Sequence, residues 1–279
     1  MPGRTKVKMR LLVRYVLCGI LVTWSIIPMI WLVSTGFKSP GEYQAFPPTL
    51  WPTKPTLKYM VSIWSVYSAE MYLRNSLIVA PVAALLATII GCVSAYSIVR
   101  LKPKGGKVLS VFILVLWMLP PVSIIIPLYL IFSTVKLVDN VLALILAYQV
   151  FAVPFSVWII RGFLQELPEE FEDAARIDGC SRLGAFSRVT LPLLAPGLVA
   201  SATVVFLLCW VEFLFALILT HSLKSQTMPI LSYTASMAEA EVLWGEIGSI
   251  GLVSMIPSFL LILFLQKYLV RGLTMGGIK

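Results

Sequence analysis

The sequence predicts an all-α, polytopic membrane protein with six transmembrane helices and both termini cytoplasmic. Three observations predict it: an apolar composition, six apolar runs of spanning length, and a lopsided placement of the basic residues. Of 279 residues, 59% are hydrophobic and 13% charged, and the mean hydropathy is +0.92. A soluble domain carries about 25% charged residues, so this chain has too little polar material to wrap a water-facing surface. A soluble enzyme is excluded as a class.

The hydrocarbon core of a bilayer is about 30 Å thick and takes about 20 apolar residues per helix. Runs of that length occupy about 13–35, 75–99, 108–132, 141–160, 193–219 and 247–265. The first follows Arg4, Lys6, Lys8, Arg10 and Arg14, the pattern of a secretory signal head. Its apolar stretch exceeds the 7 to 15 residues usual for such signals and ends in Val33-Ser34-Thr35-Gly36 without a small-residue cleavage site, so it reads as a retained anchor. Pro28, Pro81, Pro127, Pro154, Pro196 and Pro257 fall inside the runs. They are tolerated in lipid where neighbouring helices or water re-satisfy the freed carbonyls. Pro120 and Pro121 are adjacent, which predicts a bend near the middle of the third span.

The chain has 22 Lys and Arg against 13 Asp and Glu. With the N-terminus cytoplasmic, sixteen of those bases fall in inside segments and six outside: Lys38, Lys54, Lys58, Arg74, Lys136 and Lys224. The positive-inside rule favours that orientation. The basic excess is therefore a topological signal, and no nucleic-acid partner is predicted. Cys18, Cys92, Cys180 and Cys209 are scattered with no metal or redox spacing; they read as small buried apolar residues, with neither a disulfide nor a metal site. His221, just beyond the fifth span, reads as a surface or interfacial residue.

Two outward connections are long. Residues 37–72 hold Pro40, Pro47, Pro48, Pro52 and Pro55 with Trp51, which predicts an irregular cap. Residues 220–245 mix Ser, Thr and Met with Glu239, Glu241 and Trp244, and leave room for a short helix after Pro229. Each either touches an extracytoplasmic partner or only connects helices.

The inside connection at 162–192 differs from everything around it. It holds Glu166, Glu169, Glu170, Glu172, Asp173 and Asp178, six of the thirteen acids. Pro168 suits a first helical turn, and the acids after it complement the positive end of the helix dipole. Phe171, Ala174 and Ala175 share one face, small and apolar, with acids on the others. Gly179 supplies a left-handed stop, Ser181 caps a second short helix to about Val189, and Leu191-Pro192 returns to the membrane. A charged helix with a small apolar face is suited to another protein's groove; a solvated connector or a helix lying on the membrane surface is the alternative.

The loop also resembles a known family. The pattern E-A-A, three residues, G, nine residues, I-x-L-P marks the permease subunits of bacterial ABC importers. Here it reads Asp173-Ala174-Ala175, Gly179 and Val189-Thr190-Leu191-Pro192 with the spacing kept, Asp replacing Glu and Val replacing Ile. Glu172 keeps an acid beside the substituted position. Further likeness, to the MalG-like branch of carbohydrate importers, lies in Trp31 to Pro40, Arg74 to Val79, Leu119-Pro120-Pro121 with Pro127-Leu128-Tyr129, Trp210 to Leu217, and the tail from Val270 to Lys279. Val211 departs from it, where relatives often carry Asn.

The resemblance implies a type I ABC importer permease fold as one transmembrane domain over 1–279, in a bacterial or archaeal cytoplasmic (inner) membrane. It implies a second, MalF-like permease, two ATP-binding subunits that hold ATP and Mg, an extracytoplasmic solute-binding protein, and lipid around the spans. The chain itself has no G-x-x-x-x-G-K-[ST] phosphate loop, so no cofactor and no enzymatic activity are expected of it. Glu172, Asp173, Ala174, Ala175, Asp178, Gly179, Leu191 and Pro192 are the implied ATPase-coupling residues. The implied cargo is a sugar or oligosaccharide, with glycerol-phosphate or another polyol as the alternative.

For the pathway, Glu212 is the only acid well inside an apolar run. An intramembrane carboxylate by default faces the bundle interior or a watery cavity; hydrogen bonding to a partner permease or neighbouring helix is the other reading. Trp210, Tyr148, Gln149, Pro120 and Pro121 are companion candidates. An ion-coupled secondary transporter is the rival from another class, disfavoured by the single buried acid and the lack of an internal repeat.

Overall fold

The computed structural model describes residues 2–43, 45–237 and 244–275. The elements are helical: α1 Pro2–Phe37, α2 Lys58–Ser65, α3 Ala69–Tyr96, α4 Gly106–Met118, α5 Pro121–Thr134, α6 Val141–Glu166, α7 Glu170–Ile177, α8 Arg182–Ala185, α9 Leu191–Leu193, α10 Ala195–Trp210, α11 Leu214–Leu219, α12 Met228–Met237 and α13 Trp244–Met275. Wider π-turns extend α3 over Ser97–Leu101 and join α8 to α9 over Phe186–Thr190.

Among the described residues, four helices are long and apolar enough to cross a bilayer: Leu11–Phe37, Ala69–Leu101, Val141–Glu166 and Trp244–Gln266. Counting each sharply bent helix pair as one span raises this to six. The first bent pair is α4 with α5, turned by 91° at Leu119-Pro120, where the adjacent prolines forbid a continuous ladder. The second joins Arg182–Leu193 to Ala195–Trp210 at 69°. The fifth run of the sequence is thus not one rod from 193 to 219: α10 stops at Trp210 and α11 resumes at Leu214. The cause is Glu212, whose carboxylate takes the N–H groups of Phe215 and Ala216 and so starts a new helix.

The chain forms two compact units. One comprises residues 1–69 and 232–255. In it Lys38 is buried, donates to the Thr49 carbonyl at 2.6 Å and lies 4.2 Å from the Trp31 ring centroid, holding the proline-rich cap to the end of α1. Ser62 donates to Glu246 at 2.7 Å. The cap is irregular as its prolines predict, but its second half contains α2. Along α1, Tyr15, Trp24 and Leu21 are exposed, the surface expected of a helix that lies in lipid. Cys18 is exposed there too, whereas Cys92 and Cys209 are buried as expected.

The other unit comprises residues 70–231 and 256–279 and carries the loop of interest. Lipid tails are as apolar as the side chains, so close packing rather than the hydrophobic effect joins such helices. A Cβ on Gly91 of α3 would collide with Ser156 Oγ of α6, and Ser156 pairs in turn with Ser201 of α10 at 2.9 Å. Small residues therefore let three spans approach. Toward one end, Cys92, Ala95, Tyr96, Val157, Ile160, Leu164 and Leu194 form a buried cluster. At a connection, Asp139 accepts from the backbone of His221 and Ser222 and from the hydroxyls of Ser222 and Ser225. The segment after α11 is thereby laced to the α5–α6 turn. Glu239 and Glu241 lie outside the described residues.

Candidate functional site

The acidic loop folds as an elbow. Leu167 leaves the end of α6 in extended conformation, and Pro168 just precedes α7 rather than lying in its first turn. Glu170, Glu172 and Asp173 occupy that first turn, where the dipole favours acids. Gly179 has φ +92, the left-handed stop read from the sequence. The Ser181 hydroxyl caps the next helix by accepting from Gly184 N at 3.1 Å. The segment from Arg182 to Leu193 then runs on through its π-turn, longer than the predicted end near Val189.

The two sides of this elbow do different things. Phe171 and Ile177, with Leu183 after the turn, are 52%, 86% and 79% exposed, and Ala174, Asp173, Asp178 and Gly179 are exposed with them. Ala175 turns inward, so the apolar face expected over Phe171, Ala174 and Ala175 is divided between the two sides. Leu191 is half-buried and Pro192 exposed.

The buried side carries a feature that the sequence did not disclose. Glu172 lies inside the protein, not on the outer face with its neighbouring acids. Its Oε1 pairs with Arg100 Nε at 3.0 Å and accepts from the Thr190 hydroxyl at 2.6 Å; its Oε2 accepts from the Tyr96 hydroxyl at 3.0 Å. Arg100 also donates from Nη2 to the Leu167 carbonyl at 2.7 Å, and its Nη1 stands 3.5 Å from Glu169. The side chains of Arg100 and Glu172 are 7% and 11% exposed. A buried carboxylate is viable only when paired and hydrogen-bonded, and here both oxygens have partners, two on Oε1 and one on Oε2. Glu172 therefore fastens α7 to the end of α3 and to the π-turn after α8, and Arg100 extends the tie to the end of α6. Lys102 reaches Glu169 at 2.9 Å, and that hydrogen bond and charge hold the Glu169 carboxyl below the usual range.

The pathway candidates separate. Glu212 sits in the break between α10 and α11, half-buried, and its hydrogen bonds go to the next helix turn of its own chain. Tyr148 on α6 is fully buried, with its ring against Phe151 and Phe215 and its hydroxyl beside Glu212 without a hydrogen bond of ordinary geometry. Trp210 is buried and stacked on Phe206 at 5.5 Å. Gln149 points elsewhere, donating to the carbonyls of Ala83 and Ile145. Pro120 and Pro121 are exposed at the α4–α5 bend.

The geometry now has a family beside it. Residues 87–275 match the model of the binding-protein-dependent transport system inner membrane component, a stretch that contains the whole elbow, α6 and the end of α3 to which the elbow is tied. The chain belongs to this family. Among curated relatives it is 32% identical over 266 residues to the sulfoquinovosyl glycerol transport system permease protein SmoH of Agrobacterium fabrum, with 95% of this chain and 93% of that one covered. It is also 32% identical to the trehalose/maltose transport system permease protein MalG of Thermococcus litoralis, with 90% and 91% covered. A solved bacterial ABC transporter involved in the import of the polysaccharide alginate shares the fold, with a TM-score of 0.74, 19% identity and 94% and 96% of the two chains covered.

This permease is accordingly a multi-pass inner-membrane protein and a transport subunit rather than an enzyme. It works with a solute-binding protein and with ATPase carried on separate subunits. Membership in an ATP-driven family displaces the ion-coupled alternative.

Proposed function

We propose that this permease carries a carbohydrate across the inner membrane, driven by ATPase subunits that grip the exposed side of the elbow. The observation that carries the reading is the division of labour within α7. Phe171 and Ile177 are offered to solvent, while Glu172 on the opposite side is tied to the ends of α3 and α6. A solvated connector has no need of that buried tie. A lever does, because a push on Ile177 reaches the spans only if the helix between them cannot tilt alone.

The assembly pairs this chain with a second, MalF-like permease and two ATP-binding subunits, which hold the ATP and Mg. An extracytoplasmic binding protein delivers the solute. Both termini are cytoplasmic in this reading, the orientation that the placement of the basic residues favours, which puts the elbow on the ATPase side. Closure of the ATPases shifts the population between inward-open and outward-open packings. Asp173 and Asp178 supply charge at the rim of the contact, and Leu191 and Pro192 carry the motion toward α10. The sugar assignment is supported by the transport names of SmoH and MalG. Glu212 acts in this reading by fixing the break below α11, with Trp210 and Tyr148 packed around it.

The experiment is to replace Ile177 and Phe171 by Asp in the assembled importer. Loss of ATPase co-purification and of uptake, with the permease still inserted, is the expected result. Unchanged uptake and unchanged co-purification would remove the docking reading. Identifying the solute retained by the co-purified binding protein tests the carbohydrate assignment separately.

A further inference from the structure

Beside the elbow, between α4 and α6, two spaces of opposite character meet. One is a cavity of about 570 Å³ at the end of the spans, bordered by Arg100, Lys102, Lys107 and Arg161 with Glu169 as its only acid. The other is a slot of about 90 Å³ running along the spans, walled by Leu114, Trp117, Phe155 and Trp158. Ser110 and Arg161 line both, so the two spaces adjoin.

The charges in the cavity are not equivalent. Arg100 is satisfied by Glu172 and the Leu167 carbonyl, and Lys102 by Glu169. Among the described residues Arg161 and Lys107 have no ion-pair partner. Arg161 is also half-buried. It stands 20 residues after the first residue of α6, about 30 Å along the axis at 1.5 Å per residue, one hydrocarbon thickness from the helix start. Its guanidinium thus lies at headgroup depth, and the exposed Trp158, one turn before it on α6, stands beside it in the way of an interfacial aromatic anchor. A cation left unpaired at that depth attracts the anionic headgroup layer, and the anion available there is a lipid phosphate. Basic pockets between membrane helices on the cytoplasmic side take such headgroups.

We propose that the groove between α4 and α6 is a binding site for an anionic phospholipid, with its phosphate held by Arg161 and Lys107 and one acyl chain in the slot against Trp117 and Trp158. The slot favours a lipid over free phosphate, since a soluble anion has no use for an apolar wall beside its site. The site neither needs nor alters the ATPase reading above.

The test uses the assembled importer in detergent, delipidated and then loaded from mixed micelles of phosphatidylglycerol and phosphatidylcholine with matched chains. Lipid retained after gel filtration is counted by native mass spectrometry. The wild type is expected to retain phosphatidylglycerol over phosphatidylcholine by at least tenfold. Arg161→Gln with Lys107→Gln should abolish that preference, Arg161→Lys should keep part of it, and Leu114→Trp, which fills the slot without touching a charge, should lower retention of both lipids. Equal retention by wild type and the double variant would overturn the proposal. So would displacement by millimolar inorganic phosphate, which would mark a headgroup-only anion site, or a crosslink from position 161 to an acidic segment of a partner subunit in place of lipid.

Discussion

Replacing Arg100 by Met isolates the tie on which the lever depends. The change keeps most of the side-chain length and removes the charge, leaving Glu172 with the hydroxyls of Tyr96 and Thr190 but no cation. The two side chains of the pair are 7% and 11% exposed. Removing one partner of a buried pair costs about 3 to 5 kcal/mol because the other charge is stranded, and the two remaining hydroxyl donors put this case near the low end. A cost of about 3 kcal/mol is a factor of roughly 100 to 200 in a local opening equilibrium, at 1.36 kcal/mol per decade. An eight-residue helix does not hold itself in water, so the opening should appear in α7. Hydrogen exchange of the reconstituted importer is the assay, read at amides 170–177 against the core of α6. The double variant Arg100→Met with Glu172→Gln should recover most of the loss, since no charge is then stranded. Unchanged protection of α7 in Arg100→Met, or a double variant as damaged as the sum of the singles, would refute the claim that the ion pair holds the elbow.

Three further outcomes are expected. Gly179→Val meets open space, so its cost is that of left-handed backbone alone, about 1 to 2 kcal/mol; thermal unfolding of the complex should drop slightly while ATP hydrolysis loses its dependence on binding protein. Gly91→Leu forces a side chain where even a Cβ would collide with Ser156 Oγ, and overpacking of about 1 to 3 kcal/mol or more should appear as a lower melting temperature without loss of ATPase affinity. Burial pushes the Asp139 carboxyl up, but its bonds from Ser225, His221 and Ser222 outweigh that and hold it well below the usual range. Its contribution is therefore present above the unfolded pKa of about 3.9 and is lost as pH falls through the lower folded value. Asp139→Asn should cost about 1 to 2 kcal/mol at neutral pH and flatten the acid limb of the stability profile below about pH 4.

Much of this was legible because membranes restrict the possibilities. A run of about 20 apolar residues has few fates besides a span, and Pro120-Pro121 has few besides a break. Gly179 announced its own φ, and Ser181 its cap. The break inside the fifth run was not legible, because hydropathy averages over a window and does not register that Glu212 is hydrogen-bonded to Phe215 N and Ala216 N. Glu172 was grouped with five other acids because charge alone does not distinguish a solvated carboxylate from one facing Arg100, 72 residues earlier.

The sequence by itself determined the spans, the placement of basic residues and the elbow with its turn, since these follow from local composition, backbone restriction and spacing of neighbours. Only the tertiary structure decided which acid is spent inside the protein, which apolar residues stay outside, and which cations are left without a partner. Those depend on distances between segments far apart in the chain, and no local pattern encodes which of several like charges will find its counterion.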